Sequence, residues 1–353
     1  MASRGSKIVG NTLKILGAVV GVAVIIAGVK LSSVVFPATP KSTPEMAFTG
    51  FIKLPGHGYL NILDYIKIDG RALFVTSESS GSVYRVDLSA TDPSQSSALL
   101  ELTGKPSAHG VAVTGDNGAA FVTRSEANTV ELFDPASMTR LASIPVQDDA
   151  DAILYDQAAN LIYVANGDPK IATLIDPQKR AVAGTINLGG KPEFPVLDPQ
   201  SGLVYQNLND LNQVAAVDVA ARAVVGKWSL APCDGPTGLA LDPANKRLFA
   251  VCGKSAQLVV FALDQHRVVA TLPVGGGPDV VAFDLSNRRL YVAGKAGELT
   301  VVQQAGPDGY RVLANIKTHY GAHTLAVDPV SHKVYVGYAS LLIGPRLAVF
   351  EPR

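Results

Sequence analysis

Six ionisable side chains recur at one position of a repeated sequence pattern, and they are the residues best suited to chemistry. Each position lies five residues before the Asp or Thr that ends the first apolar run of a repeat. The seven positions hold Asp64, His109, Asp151, Glu193, Thr237, Asp279 and His323. The repeat alignment selects these positions without regard to residue type. We therefore treat these side chains as one predicted ring.

Three members of this ring, His323, Asp64 and His109, fall in consecutive repeats if the chain closes on itself. Imidazole nitrogens and a carboxylate are common ligands of divalent transition metals. The same groups suit general acid–base catalysis near neutral pH. We predict that this sector holds one divalent metal ion or an ordered water network, and its three residues are also the candidate catalytic residues. A ring of solvated polar side chains is the alternative.

Loops that follow the second apolar run of each repeat are predicted to bring Arg124 and Tyr338 to the same sector. Arg124 is suited to an anionic group of a ligand, and a salt bridge to Glu126 or Asp151 is the competing use for it. His57 and His319 lie in loops that lead into the first and last repeats. The predicted ligand-binding set is Asp64, His109, Arg124, Asp151, Glu193, Asp279, His323 and Tyr338.

The elements that must position these residues are clearest between Cys233 and Gly275. This stretch contains four strand-length apolar runs, GLAL, RLFAV, QLVVFA and VVATLPV, each bounded by turn residues. The pattern predicts a four-stranded antiparallel sheet. One such sheet cannot bury its own faces, so the copies are expected to stack.

The period of the repeat predicts how the copies stack. The first runs end at Asp69, Thr114, Asp156, Asp198, Asp242, Asp284 and Asp328, with spacings of 42 to 45 residues. Seven copies of this length indicate an all-β, seven-bladed β-propeller with four-stranded antiparallel blades. The first strand of each blade lines the central channel, which places the predicted ring at one mouth of that channel.

The two ends of the chain are predicted to close the propeller. The last copy stops one strand short, after AVFEP at Ala348–Pro352, whereas Phe48–Leu54 matches a fourth-strand pattern. An N-terminal strand that pairs with the C-terminal strand near Leu347–Phe350 would complete the seventh blade. Closure of this kind removes the two open edges of a broken ring.

The two cysteines fall at the same end of one predicted blade. Cys233 precedes the first strand of the fifth blade and Cys252 ends its second strand. Neighbouring cysteines in an oxidising compartment favour a disulfide. Two free buried thiols are the alternative.

The N-terminal segment predicts an extracytoplasmic location. Residues 1–36 are basic at the start, and the stretch Ile15–Val29 is apolar and uncharged. This pattern fits an uncleaved membrane anchor or a cleaved secretory signal. Either one places the propeller, residues 46–353, on the periplasmic side of a bacterial inner membrane. Residues 37–45 form a Pro-rich linker, and the inner membrane is an expected partner through the N-terminal helix.

Charge argues against a nucleic-acid partner. The whole chain has a formal net charge of zero, but residues 1–41 contain five basic residues and no acid. The rest of the chain therefore has 25 basic against 30 acidic residues. A mildly acidic body has no electrostatic footprint for nucleic acid.

The repeats resemble those of the YVTN-repeat (YncE-like) seven-bladed propeller family. The resemblance rests on IYVANG at Ile162–Gly167, LYVAG at Leu290–Gly294, VYVGY at Val334–Tyr338, and GKP and GGP openings such as Gly190–Pro192 and Gly276–Pro278. It covers about residues 46–352. It implies the propeller fold and a bacterial surface or periplasmic setting, and it implies no particular activity.

Three functions fit these observations. The first is a membrane-anchored module that binds a small molecule or a protein at the channel mouth. The second is a metal-dependent hydrolase or lyase that uses the His and Asp cluster, by analogy with lactonase- and lyase-type propellers. The third is an accessory subunit of a membrane complex. Metal binding that depends on His109 and His323 would favour the second over the first.

Overall fold

A computed structural model describes residues 38–56, 62–115, 118–338 and 344–353. The predicted N-terminal helix within residues 1–36 and the loop position of His57 lie outside these ranges. Among the described residues, no helix is long and apolar enough to cross a membrane. The described chain forms strands, with one short 3-10 turn at Asn209–Leu211.

The strands make seven four-stranded antiparallel sheets, which confirms the predicted seven-bladed propeller. Blade 1 contains β2 (Leu63–Asp69), β3 (Ala72–Ser77), β4 (Ser82–Asp87) and β5 (Ala98–Glu101). Blade 2 contains β6 (Val111–Val113), β7 (Ala120–Arg124), β8 (Thr129–Asp134) and β9 (Thr139–Pro145). Blade 3 contains β10 (Ala150–Asp156), β11 (Leu161–Asn166), β12 (Ile171–Asp176) and β13 (Ala181–Asn187).

The remaining blades repeat this order. Blade 4 contains β14 (Pro192–Leu197), β15 (Val204–Leu208), β16 (Gln213–Asp218) and β17 (Ala223–Ser229). Blade 5 contains β18 (Pro236–Asp242), β19 (Arg247–Cys252), β20 (Gln257–Ala262) and β21 (Arg267–Pro273). Blade 6 contains β22 (Pro278–Asp284), β23 (Arg289–Gly294), β24 (Glu298–Gly306) and β25 (Gly309–Lys317). Blade 7 contains β26 (Leu325–Val327), β27 (Val334–Tyr338), β28 (Arg346–Pro352) and the N-terminal strand β1 (Met46–Lys53).

Strand β1 closes the ring as the sequence predicts. It pairs antiparallel with β28, with Phe48 opposite Phe350 and Ile52 opposite Leu347. Met46 is fully buried in the same blade. The first and last strands therefore share one sheet, and neither chain end leaves blade 7 incomplete.

The hydrophobic core is divided into seven clusters, one at each interface between adjacent blades. The second and third strands of a blade have nearly every residue buried, as in β11 and β12. Both faces of a middle strand pack against a neighbouring blade, so the strand is apolar without alternation. Packing between blades therefore holds each channel-lining strand in place.

The Asp that ends many first strands makes the following turn. The Oδ1 atom of Asp156 accepts hydrogen bonds from the backbone N–H groups of Ala158 and Ala159 at 3.0 Å, and Asp284 does the same for Ser286 at 3.0 Å. Asp side chains favour this local turn. The carboxylates of these aspartates are therefore used in turns, at the end of the channel opposite the predicted ring.

The predicted disulfide between Cys233 and Cys252 is present, with the Cα atoms 5.3 Å apart. It ties the segment before β18 to the end of β19. Both ends of this link lie on the face of the propeller that carries the predicted ring.

Candidate functional site

The predicted ring residues lie where the inner strands begin. Asp64, Asp151, Glu193, Thr237 and Asp279 are the second residues of their strands, and His109 and His323 precede β6 and β26 by two residues. Because the inner strands all start at one face, these side chains gather at one channel mouth. Most of them, together with Glu78, Tyr65, Phe194 and Lys295, line a cavity of about 200 Å³. We call this space the mouth cavity.

Glycine allows neighbouring ring positions to come close. Gly110 follows His109, and a Cβ atom there would lie 2.8 Å from Ile153 and 3.2 Å from the carbonyl oxygen of Asp151. Gly238 follows Thr237 and meets the backbone of blade 6 in the same way. A larger residue would push adjacent inner strands apart. At these two positions, glycine therefore lets the adjacent inner strands approach each other closely.

Asp64 lies between the two histidines of the ring. Its Oδ2 atom is 2.5 Å from Nδ1 of His109, and its Oδ1 atom is 3.8 Å from Nε2 of His323. The three residues belong to blades 1, 2 and 7, which are consecutive in the closed ring. The structure thus places His323, Asp64 and His109 next to one another, as the sequence predicts. Its role as a binding site stays a prediction.

His109 is strongly biased toward its charged form. Only 9% of the residue is exposed, and this burial opposes protonation. The hydrogen bond and charge of Asp64, with the charge of Asp151 at 3.6 Å, outweigh burial and raise the pKa of His109 to about 9. On the other side of the ring, Nε2 lies 2.8 Å from Oγ of Ser125. At neutral pH, His109 is therefore an imidazolium paired with a carboxylate.

The pKa of Asp64 shifts the other way. Burial alone would raise it, but the hydrogen bond and charge of His109 and the nearby imidazole of His323 hold the pKa of Asp64 below its usual range. Asp64 is therefore ionised throughout the neutral range.

Hydrogen bonding fixes the orientation of His323. Its Nδ1 atom lies 2.7 Å from the carbonyl oxygen of Gly321, so Nδ1–H is the donor. Nε2 then faces Asp64 and Asp279, at 3.8 Å from each. Burial opposes protonation of His323, but the nearby Asp64 and Asp279 carboxylates and the hydrogen bond to Gly321 raise its pKa overall. A histidine held this way presents Nε2 to two carboxylates either as a charged N–H group or as a metal ligand.

Carboxyl groups outnumber basic groups around the mouth cavity. Burial and the neighbouring carboxylates raise the pKa of Asp151 to about 7 and that of Glu193 to about 8. Lys295 supplies one cation, with Nζ 3.3 Å from Oδ2 of Asp279. Five carboxylates around the mouth are thus set against one lysine and two imidazoles. A cation would relieve this repulsion.

The donor atoms at the mouth are of the kinds that bind divalent metal ions. One ligand atom from each of Asp64, His109 and Asp151 lies within 4.8 Å of the others. This trio differs from the predicted set because Asp151 takes the place of His323. Two ligands at metal–ligand distances near 2.1 Å lie about 3 Å apart. The 2.5 Å contact between His109 and Asp64 matches a shared proton instead, so a bound metal would have to widen it.

The structure does not bring Arg124 and Tyr338 to the mouth cavity. The Arg124 guanidinium is 4% exposed, donates to the carbonyl oxygens of Thr103 and Lys105, and lies 3.6 Å from Glu131. The Tyr338 ring is buried against His319 and Phe51. Both residues end their strands with the side chain directed into the blade.

Three contacts that the sequence reasoning missed come from the next residue along the chain. Glu78, Ser125 and Lys295 directly follow the strand-ending residues Ser77, Arg124 and Gly294. Side chains alternate between the two sides of a strand. If the last strand residue points into the blade, the side chain of the next residue therefore points to the channel. The alternation of side chains along the second strand of each blade was the sequence signal that could have identified these three residues.

An aromatic pair forms the floor of the mouth cavity. The rings of Tyr65 and Phe194, from blades 1 and 4, stack with centroids 5.7 Å apart and an interplanar angle of 13°. Both residues directly follow a ring carboxylate. The stack spans the channel and separates the mouth cavity from a second space below it.

The fold and the central channel define a seven-bladed β-propeller, an architecture suited to binding a ligand or a protein. A search against models of protein families finds no match, and a search of curated proteins finds none. Kuenenia stuttgartiensis hydrazine synthase is a similar solved structure, with TM-score 0.68 and 18% identity over 81% of this chain and 96% of that chain.

Two further solved structures have the same architecture. The WD40 repeats of RRP9 match with TM-score 0.71 and 9% identity, over 90% of this chain and 99% of that one. U3-55K matches with TM-score 0.71 and 10% identity, over 89% and 100% of the two chains. Identities this low establish the fold alone.

Proposed function

We propose that this protein is a membrane-anchored, extracytoplasmic binding protein that holds a divalent transition-metal ion at its channel mouth. The observation that carries the proposal is the convergence of Asp64, His109 and Asp151 on one point. These residues come from three different blades, so no local turn accounts for their meeting. Excess carboxylates around them favour a cationic ligand over a neutral or anionic one.

The residues around the trio support metal binding. With Nδ1 of His109 as the metal ligand, its Nε2–H would donate to Oγ of Ser125, and the Nδ1–H of His323 donates to the carbonyl oxygen of Gly321. Such outer contacts fix the tautomer and orientation of metal-binding histidines. Asp279 lines the same cavity, and Nε2 of His323 lies 3.8 Å from both Asp64 and Asp279; these two residues would tune the site. The metal supplies positive charge to a mouth that otherwise keeps Asp151 and Glu193 partly protonated.

Three observations support the proposed location. The N-terminal segment has the charge and apolar length of an anchor or a signal. The disulfide between Cys233 and Cys252 is typical of an oxidising compartment. The resemblance to YVTN-repeat proteins points to the same setting.

The test of the proposal is a titration with Co²⁺, whose visible absorption reports coordination by protein ligands. We expect one ion per chain. His109→Gln and Asp151→Asn should each weaken binding at least tenfold, because first-sphere ligands are lost. His266→Gln is the matched control, since His266 stacks on Trp228 at the periphery. Binding that is absent, or equal in all four proteins, would refute the proposal.

A second candidate function is a metal-dependent hydrolase or lyase. The observation in its favour is that a three-residue ligand set facing an open cavity leaves coordination positions for water or substrate. A panel of lactone and ester substrates, assayed with and without Co²⁺, tests this candidate. Turnover that disappears in the His109→Gln protein would favour the enzyme over the binding protein.

A further inference from the structure

The N-terminal part of the chain enters the propeller at the face opposite the mouth cavity. Strand β1 begins at Met46, which lies opposite Pro352 at the end of β28. The carbonyl oxygen of Glu45 accepts hydrogen bonds from Nη1 of Arg289 at 3.1 Å and from the backbone N–H of Arg353 at 2.9 Å. Arg289 begins β23, directly after the turn that follows an inner strand. We call the face that carries these turns the lower face, because the ring residues lie at the other end of the inner strands.

The segment before β1 is bonded to the lower face. Pro40 is buried, and Oγ of Ser42 accepts a hydrogen bond from the backbone N–H of Phe48 at 2.9 Å. The guanidinium of Arg353 donates to the carbonyl oxygen of Thr43 at 3.1 Å. The predicted N-terminal helix ends at residue 36, and the four residues from there to Pro40 span at most ~14 Å. An anchored chain therefore holds this part of the lower face within that distance of the membrane.

Two apolar side chains project from the lower face close to this entry point. Among the residues that the structure describes, Val330 and Leu285 are the most exposed large apolar side chains, at 83% and 57%. Leu285 lies in the turn after β22 of blade 6, and Val330 lies in the turn after β26 of blade 7. The two turns are neighbours, since Nδ1 of His332 lies 3.0 Å from Oδ2 of Asp284. Single exposed apolar residues are common on protein surfaces, but these two form a pair beside the incoming chain.

The exposed charges around this pair are mainly basic. Three basic residues are exposed on this part of the lower face: Lys41, Arg288 and Arg353. The acids of the two turns, Asp284 and Asp328, are buried and accept hydrogen bonds from backbone N–H groups of their own turns. Glu45 and Glu351 are half-buried, and Glu351 pairs with Lys333 at 3.0 Å. Exposed basic groups beside apolar side chains suit the phosphates of lipid headgroups.

We propose that the lower face of blades 6 and 7 rests on the phospholipid bilayer, with Leu285 and Val330 inserted into it. This inference rests on the membrane anchor of the proposed function, and it adds the surface that contacts lipid and the orientation that this contact imposes. Apolar side chains on interfacial protein segments enter about 5–10 Å into the boundary between headgroups and acyl chains. The basic groups beside them then lie at the level of the headgroups.

This orientation points the mouth cavity away from the membrane. An inner strand of seven residues, such as β18, spans ~23 Å. The mouth therefore opens into the aqueous space about that far above the lipid surface. A metal ion, and any protein that recognises it, reaches the mouth from the aqueous side and not from the bilayer.

Tryptophan fluorescence tests the contact on the full chain in vesicles of phosphatidylcholine and phosphatidylglycerol, with and without lipids brominated on the upper acyl chain. Trp228, the single tryptophan of the sequence, is first replaced by phenylalanine. Val330→Trp then reports on the lower face. Leu211→Trp is the matched control, because Leu211 is 42% exposed in the short turn after β15, on the face of the mouth. Flotation of the vesicles shows whether the chain is anchored.

We expect the brominated lipids to lower the fluorescence of Val330→Trp by at least about half and to leave Leu211→Trp nearly unchanged. Adding Leu285→Asp to the Val330→Trp chain should reduce this quenching, because a carboxylate in the same patch opposes insertion into lipid. All three substituted side chains are exposed, so the variants should melt at similar temperatures by circular dichroism.

Several results would overturn the inference. A chain that floats with the vesicles but shows no quenching of Val330→Trp would overturn it and leave the anchor in place. Equal quenching of the two reporters, or quenching that Leu285→Asp does not change, would overturn it as well, because the patch would not then direct the contact. A chain that does not float would overturn the anchor together with this inference, whereas absent Co²⁺ binding would refute the metal site alone.

Discussion

At the scale of single residues, Asp64 determines the charge state of the channel mouth. It contacts both ring histidines and raises the pKa of each of them. A substitution that removes the charge of Asp64 and keeps its shape therefore tests whether this carboxylate raises the pKa of the histidines.

Asp64→Asn should lower the pKa of His109 by at least one unit from about 9. The reason is that the hydrogen bond and charge of Asp64 are what offset the burial of the imidazole. NMR titration of the ring nitrogens measures this value. Asp168→Asn, on an exposed loop, is the control. An unchanged pKa in the Asp64→Asn protein would contradict the assigned contact.

The metal-free protein should lose stability as pH rises from about 5 to 9. In the folded state the pKa of Glu193 is about 8 and that of His109 about 9, both above their ordinary values. The folded chain thus binds these protons more tightly than the unfolded chain, and this stabilisation is lost as pH rises. The loss should reach about 1 kcal/mol or more.

Urea unfolding at several pH values, in the presence of a chelator, measures this trend. Glu193→Gln should flatten it, because the amide carries no titrating proton. Asp64 contributes with the opposite sign. Its lowered pKa stabilises the folded chain at neutral pH, and this stabilisation is lost as the pH falls below about 4, the ordinary pKa of an aspartate. A free energy of unfolding that rises between pH 5 and 9 would refute the assigned shifts.

At the scale of strands, the sequence predicts inner strands better than loops. The residue five before the closing Asp was correctly placed at the mouth because every inner strand starts at the same face. Arg124 was misplaced by one residue because the prediction did not follow the alternation of β7 into its loop. Ser125 took the contact with His109 instead. The aromatic stack of Tyr65 and Phe194 joins blades 1 and 4, and no spacing within a repeat encodes that contact.

The disulfide between Cys233 and Cys252 is expected to stabilise blade 5. Labelling of the denatured, unreduced protein should find no free thiol. Replacing Cys233 and Cys252 together by serine should lower the free energy of unfolding by about 3 kcal/mol, from the chain entropy of a loop of this length. The measurement is urea unfolding beside the oxidised parent. Two reactive thiols in the unreduced protein would contradict the pairing.

A buried arginine links blades 5 and 6. Arg247 is 4% exposed, and its guanidinium contacts Asp264 at 3.0 Å and Asp308 at 2.9 Å. Arg247→Met keeps most of the apolar contact and removes both ion pairs. We expect a loss of about 1–3 kcal/mol, because the backbone carbonyls of Asn245 and Lys246 also lose their donor. Equal stability of the variant and the parent, measured by urea unfolding, would show that the link contributes nothing.

At the scale of the whole molecule, closure of the ring joins the two ends of the chain. The count of seven repeats and the missing last strand were enough to predict this from sequence. The cavities were not predictable in the same way, because their volumes depend on how all inner strands tilt around the axis.

Deleting residues 1–44 should leave a folded, soluble propeller, since β1 begins at Met46. Deleting residues 1–55 should destabilise it severely, because β28 loses its partner and Phe48 and Phe51 leave the blade 7 core. Thermal melts followed by circular dichroism compare the two proteins. Equal and cooperative melts would show that β1 does not close the ring.

The central claim is that the channel mouth holds a metal ion between Asp64, His109 and Asp151. The most direct measurement is an anomalous difference map from a crystal of this protein grown with Co²⁺. The account predicts one strong peak at the mouth, within about 2.3 Å of all three residues, and a distance between His109 and Asp64 widened to about 3 Å. A map without a peak there, with the pair still at 2.5 Å, would contradict it.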